Sequence, residues 1–295
     1  MPDTYGWVVR RTKDAAIVDV VPAQTYFVVS AIFHYLGPAL AVLLFARIEP
    51  LGVAWLRIAA AGTIFWLWRR PLRAWRTLDP ATRKLLAGWG AVLAVMNCSF
   101  YLAIDRVPLG TVAAAEFAPV IVLAAIAVRS LRNLLALVLA VAGVYILTDI
   151  RLSQDWIGLL CTALNALLFA AYVVLGHRVS RVDGLRRIDG LALAMGIATV
   201  IALPVGVAQA KPAFSDLKLL AAAIGVGVCS SVIPYVSDQL AMARLKRSTF
   251  ALMLALLPAT ATAIGAVVLR QIPTLPEIAA VAIIVAAVAL HHEKT

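Results

Sequence analysis

The sequence predicts an all-α integral membrane protein: ten transmembrane helices arranged as two inverted five-helix repeats around a central cavity. Three observations predict it. Ten apolar stretches run almost end to end along the 295 residues, most of them close to the roughly 20 residues that cross the hydrocarbon as a helix. Hydrophobic residues make up 63% of the chain and charged residues only 14%, against about half and a quarter in soluble domains. Finally, the two halves of the chain carry matching stretches at a constant offset.

The spans are Gln24–Phe45, Leu51–Trp68, Leu85–Ile104, Leu109–Val128, Leu131–Thr148, Trp156–Gly176, Ile188–Gln209, Leu217–Met242, Thr249–Leu269 and Thr274–Leu290. Ten such helices leave only short connections, so no soluble domain fits. Residues 1–23 mix Arg10, Arg11 and Lys13 with Asp14 and Asp19, lack a long apolar core and read as a cytoplasmic tail rather than a cleaved signal. Residues 291–295 form a second cytoplasmic tail. The fourth and fifth spans, joined by a very short turn near Arg129 and Arg132, are antiparallel neighbours.

Charge sets the orientation. Of the 26 Lys and Arg, 19 fall in the tails and loops of one side, 6 on the other, and Arg57 lies inside a span. The rich side is cytoplasmic by the positive-inside rule, which places both termini there; the location expected is the cell (inner) membrane. The net charge of +11 is thereby explained without nucleic acid, and no arginine-rich face with interleaved aromatics is present. Cys98, Cys161 and Cys229 all sit in spans and read as packing residues.

Repeats 24–148 and 156–290 share a pattern. Tyr101-Leu102-Ala103-Ile104-Asp105-Arg106, leading to Thr111, aligns with Gln239-Leu240-Ala241-Met242-Ala243-Arg244, leading to Thr249, at an offset of 138. Pro119 and Pro258 each interrupt a span. Five spans per copy is an odd number, so the second copy enters the membrane from the opposite side, an arrangement recurrent in transporters that bind solute at the midplane.

Several polar residues lie within spans. Glu116 is midway along the fourth, and a charge at that depth costs about 2.5–3.5 kcal/mol on insertion scales, which protonation or a cation relieves. That suits a carboxylate alternating between a proton and a substrate ammonium; a hydrogen-bonded structural acid is the plainer reading. Asp238, one turn after Tyr235 and four residues after Pro234, is either interfacial or a substrate group. Asn97 and Tyr101 share a helix face at i, i+4, and Asn165 and Tyr172 lie at i, i+7; such groups suit a zwitterion or simple interhelical bonding. His34 precedes Gly37-Pro38, where the first helix is open to kinking, and serves either in packing or as a proton relay. Arg57 reads as snorkelling to the outer interface. The tryptophans, Trp89 included, read mostly as an aromatic belt at span ends.

No zinc-binding, Cys-x-x-Cys or phosphate-loop pattern occurs, so no cofactor, ATP motor or enzyme chemistry is expected. The partners implied are a small-molecule substrate, protons and the lipid bilayer. A drug exporter, or more remotely a membrane scaffold or membrane enzyme, are the rival readings.

At Asn97-Cys98-Ser99-Phe100-Tyr101-Leu102-Ala103-Ile104, at Val107-Pro108-Leu109-Gly110-Thr111-Val112-Ala113 through Glu116-Phe117, and at Ile233-Pro234-Tyr235, the chain resembles the drug/metabolite transporter superfamily. Tyr172 through Gly176-His177-Arg178 and Arg247-Ser248-Thr249-Phe250 carry the same resemblance. It is similar to the ten-helix EamA-type permeases, and within them to the threonine and homoserine exporter branch. The resemblance implies export of small amino acids or related metabolites, driven by protons. Leu257-Pro258 and Arg270-Gln271 depart from it, because that branch often carries a carboxylate at Leu257 and at Gln271.

Overall fold

A computed structural model describes residues 22–127, 131–152, 155–244 and 257–290. The tails, including His291 and His292, and the start of the ninth span with Thr249 lie outside the described residues. Helices α1 (Ala23–Leu44), α2 (Pro50–Arg69), α3 (Leu72–Thr77), α4 (Pro80–Ile104), α5 (Leu109–Ala127), α6 (Leu131–Leu152), α7 (Trp156–Val179) and α8 (Arg187–Gly206) come first. After them come α9 (Lys211–Ser215), α10 (Leu217–Gly227), a π-helical segment Val228–Val232, α11 (Ile233–Arg244), α12 (Leu257–Leu269) and α13 (Leu275–Leu290). Among the described residues no strand occurs, and six helical stretches are long and apolar enough to cross a membrane, with shorter apolar helices beside them.

Local chemistry sets the helix starts. Asp79 caps α4, accepting from the amides of Ala81 and Thr82 at 2.8 and 3.0 Å, with Pro80 opening the helix. The helix thus begins five residues before the expected Leu85. Asp155 caps α7 through Gly158 N at 2.9 Å, and Asp216 caps α10 through Lys218 N at 2.9 Å. Short helices α3 and α9 occupy stretches expected to be loop. α1 continues through Pro38 without unwinding.

Connections gather at two ends. At one end Arg47 pairs with Asp216 at 3.5 Å, and Arg106 with Asp155 at 3.2 Å. At the other, Arg69 pairs with Asp189 at 2.8 Å, and Arg132 Nε donates to Leu290 O at 2.7 Å.

Helix packing is reciprocal between the two halves of the chain. α4 lies along α7, and α10–α11 lies along α1; α5 packs on α7 as α12 packs on α1; α4 meets α8 as α10 and the π segment meet α2. α2 with α8, α5 with α12, and α6 with α13 close the arrangement. Association in lipid depends on close van der Waals fit more than on apolar burial. Gly90 accordingly abuts Ile197 and the Ala194 carbonyl, and Gly227 abuts Ala60 and the Arg57 backbone, whereas Gly88 and Gly225 face open space. On α6, Leu131, Leu134, Leu135, Val138 and Val141 form an exposed apolar stripe, the kind of surface lipid covers.

Candidate functional site

The segment from Val228 to Tyr235 organises the interior. Pro234 has no amide hydrogen, so the Ser230 carbonyl four residues earlier loses its helical partner. The backbone relaxes into π geometry, with Ile233 N bonding Val228 O. The freed Ser230 carbonyl accepts from Arg57 Nη2 at 3.2 Å, while Arg57 Nε donates to Ser231 Oγ at 3.2 Å. Ser30 Oγ of α1 donates to the Pro234 carbonyl at 3.3 Å. Backbone this irregular is tolerated within a membrane protein where protein groups satisfy it, as here.

Arg57 is therefore not at the outer interface. Only 7% exposed, it reaches across from α2 to the π segment and lies 5.5 Å from the centre of the Tyr101 ring. The sequence expectation of snorkelling is corrected: the freed carbonyl and a serine hydroxyl offer the guanidinium partners inside the bundle.

Glu116 is buried between α5 and α7 and faces protein, not lipid; Asn165 Nδ2 donates to its Oε1 at 2.7 Å. Asn165 is fully buried and its Oδ1 has no hydrogen-bond partner. Tyr101 is likewise fully buried; its hydroxyl lies near the Ser230 hydroxyl and Arg57, and neither hydroxyl closes a hydrogen bond of good geometry. Besides Tyr101 beside it, Arg57 is near enough for its charge to reach Glu116, His34, Tyr172 and Tyr235, on α5, α1, α7 and α11.

The remaining candidates sit at the margins of this group. Tyr172 interacts with Tyr235 and stacks on Trp89 at 5.4 Å, while Trp89 Nε1 donates to the Tyr172 carbonyl at 3.1 Å. Trp89 is thus a buried packing residue and not part of an aromatic belt. Asp238 is half-buried and interacts with Ser30 and the two tyrosines. His34 is half-buried and meets Tyr35 edge-on at 5.2 Å. Asn97 turns its amide onto its own helix, donating to Leu93 O at 2.8 Å.

Sequence reasoning missed Glu277. It is 3% exposed, and its Oε2 accepts from Thr274 N and Oγ1 at 2.9 Å each. Thr274-x-x-Glu277 ahead of an apolar run is the capping-box signature that marks it. A cavity of about 140 Å³ adjoins it, lined among others by Gly110, Thr111, Thr262 and Gln271. Gln271, at a position where a carboxylate was expected from the resemblance, accepts from Leu109 N at 3.1 Å and so caps α5. Among the described residues no group of three His, Cys, Asp or Glu could hold a metal ion.

A family model described as the EamA-like transporter family matches residues 156–291. The threonine/homoserine exporter RhtA of Salmonella typhimurium (strain SL1344) is 31% identical over 255 residues, covering 85% of this chain and 84% of the relative. The protein of the same name from Escherichia coli (strain K12) is 29% identical over the same shares. A solved crystal structure of a protein matches with a TM-score of 0.56 at 18% identity, over 90% of this chain and 96% of that one, and speaks to the fold alone. With its apolar helices, its buried polar centre and these relatives, the chain belongs to the EamA-like transporter family: it is a multi-pass membrane transporter and not an enzyme.

Proposed function

We propose that the protein is a secondary active transporter exporting small amino acids or related metabolites by proton antiport with alternating access. In this reading ten spans form two inverted repeats, residues 24–148 and 156–290, with both termini in the cytoplasm and the protein in the inner membrane. The reciprocal packing of α4 on α7 and of α10–α11 on α1 supports the repeat. The similarity to threonine/homoserine exporters supports the substrate class.

The observation that carries the mechanism is Glu116, a buried carboxylate facing protein that accepts from a neutral donor, Asn165. An acid so placed is stabilised by a proton in one facing state and by a substrate ammonium in the other, so the two compete for one site. That competition is the physical basis of antiport. Tyr101, Tyr172 and Tyr235 line the path, with Asn97, Asn165, His34 and Asp238 as further polar contacts.

The test is transport of radiolabelled L-threonine in proteoliposomes under an imposed pH gradient. Wild type is expected to move substrate against its gradient, and Glu116→Gln to lose the coupling. Wild-type rates with unchanged pH dependence in that variant would overturn the role of Glu116. Efflux of amphipathic cations without any amino acid would overturn the substrate class.

A further inference from the structure

We infer that Arg57 is the carboxylate-binding residue of the transport site, and that Arg57 and Glu116 together restrict the substrate to zwitterions. The inference rests on the exporter reading above and names the group that recognises the second pole of the substrate.

A buried cation is costly unless an anion accompanies it, yet among the described residues Arg57 forms no ion pair; the pairs present are Arg47–Asp216, Arg69–Asp189 and Arg106–Asp155. Its charge acts on Glu116 without the two closing into a salt bridge. Nε and Nη2 are held by Ser231 Oγ and the Ser230 carbonyl. These two bonds fix the plane of the guanidinium, which lies beside the Tyr101 ring. A planar fork of five N–H donors, held in place through Nε and Nη2, has the shape that two-point binding of a carboxylate needs.

The unpartnered buried atoms divide in the same sense. Near Arg57 they are hydroxyls, Tyr101 Oη and Ser230 Oγ, which donate to an anion; near Glu116 the unpartnered atom is Asn165 Oδ1, which accepts from a cation. Buried polar groups are almost always hydrogen-bonded, and these three atoms, among the five unpartnered ones of the described residues, offer partners to both poles of a zwitterion. An α-amino acid completes all three, its ammonium between Glu116 and Asn165 Oδ1 and its carboxylate on Arg57, Tyr101 and Ser230.

The experiment compares L-threonine with L-threonine amide, which keeps the ammonium but has no carboxylate charge, as competitors for radiolabelled threonine on purified full-length protein. Wild type is expected to prefer the acid by about 10- to 100-fold, the range for a buried charged hydrogen-bonding partner. Arg57→Gln is expected to abolish that preference, and Arg57→Lys to restore part of it. Tyr101→Phe removes a single hydroxyl, so it tests the same preference if Arg57→Gln fails to fold, and is expected to narrow it. Equal affinity of wild type for acid and amide would overturn the carboxylate subsite while leaving amine export through Glu116 standing. An undiminished preference in folded Arg57→Gln would do the same. Binding of neither compound by wild type would overturn this inference together with the exporter reading.

Discussion

Glu277 and Glu116 are both withdrawn from solvent, at 3% and 8% exposure, yet their surroundings differ in kind. Glu277 stands in the first turn of α13 and accepts both the amide and the hydroxyl of Thr274, beside a helix N-terminus whose dipole favours negative charge. Glu116 stands in the middle of α5, far from either helix end, with a side-chain amide from another helix against it. Burial alone therefore does not identify a working acid. What separates the two is whether local backbone geometry already accounts for the charge. At Glu277 it does. At Glu116 the neighbour is a neutral amide, and the transport reading proposed above supplies the balancing charge as a proton or a substrate ammonium.

The sharpest way to break this comparison is to neutralise each acid and measure pH-driven export. Glu116→Gln is expected to lower it by about 10- to 100-fold, as removal of a charged partner from a desolvated site does, while Glu277→Gln keeps transport within about twofold because Glu277 serves the cap at Thr274. If Glu277→Gln abolished coupling with unchanged stability, the distinction drawn here would fail. A second contrast tests how tightly the Arg57 platform is packed. A Cβ on Gly37 would meet Ser230 N and Cα at 2.7 and 2.8 Å, whereas one on Gly88 meets nothing within 4 Å. Gly37→Val is expected to lower stability by about 1–3 kcal/mol through overpacking, and Gly88→Ala to leave it unchanged or raise it by up to about 1 kcal/mol; thermal unfolding in detergent measures both.

Smaller effects concern the helix ends. Glu277→Ala is expected to cost about 1 kcal/mol of stability, the usual value of a lost cap, read from the same unfolding curves. Asp79 gives a pH signature. The Thr82 hydroxyl and the amides of Thr82 and Ala81 hold its carboxyl below the ordinary value of 3.8. Its contribution is therefore present above that value and is lost as the pH falls through the lower, folded one. Asp79→Ala should be less stable than wild type at neutral pH by a small, constant margin that closes in acid.

The apolar helices were legible because lipid demands long apolar runs, and six described stretches are long and apolar enough to cross a membrane. Glu116 was legible for the complementary reason, that an acid has no business in such a run unless it works or is paired. Arg57 was misread because sequence gives depth along a helix but not the face it presents. Its partners, Ser230 and Ser231, lie more than 170 residues away, and the carbonyl that holds it is exposed only by a proline on that distant helix. α3 and α9, at 6 and 5 residues, are too short to show a periodic pattern. Glu277 carried a readable signature, Thr274-x-x-Glu277, which was passed over because it lies at the edge of a span where charged residues are ordinary.

The π segment has one more consequence. Five residues, Val228–Val232, are wound more loosely than their neighbours, so a helical wheel started at Leu217 falls out of phase beyond them by about one residue, or some 100°. Tyr235 and Asp238 point where a residue one step away would point in an uninterrupted helix. Any accessibility scan across Leu217–Arg244 should therefore show two registers joined at a seam, with labelling periodicity resetting near Ile233 and not running through as a single sinusoid.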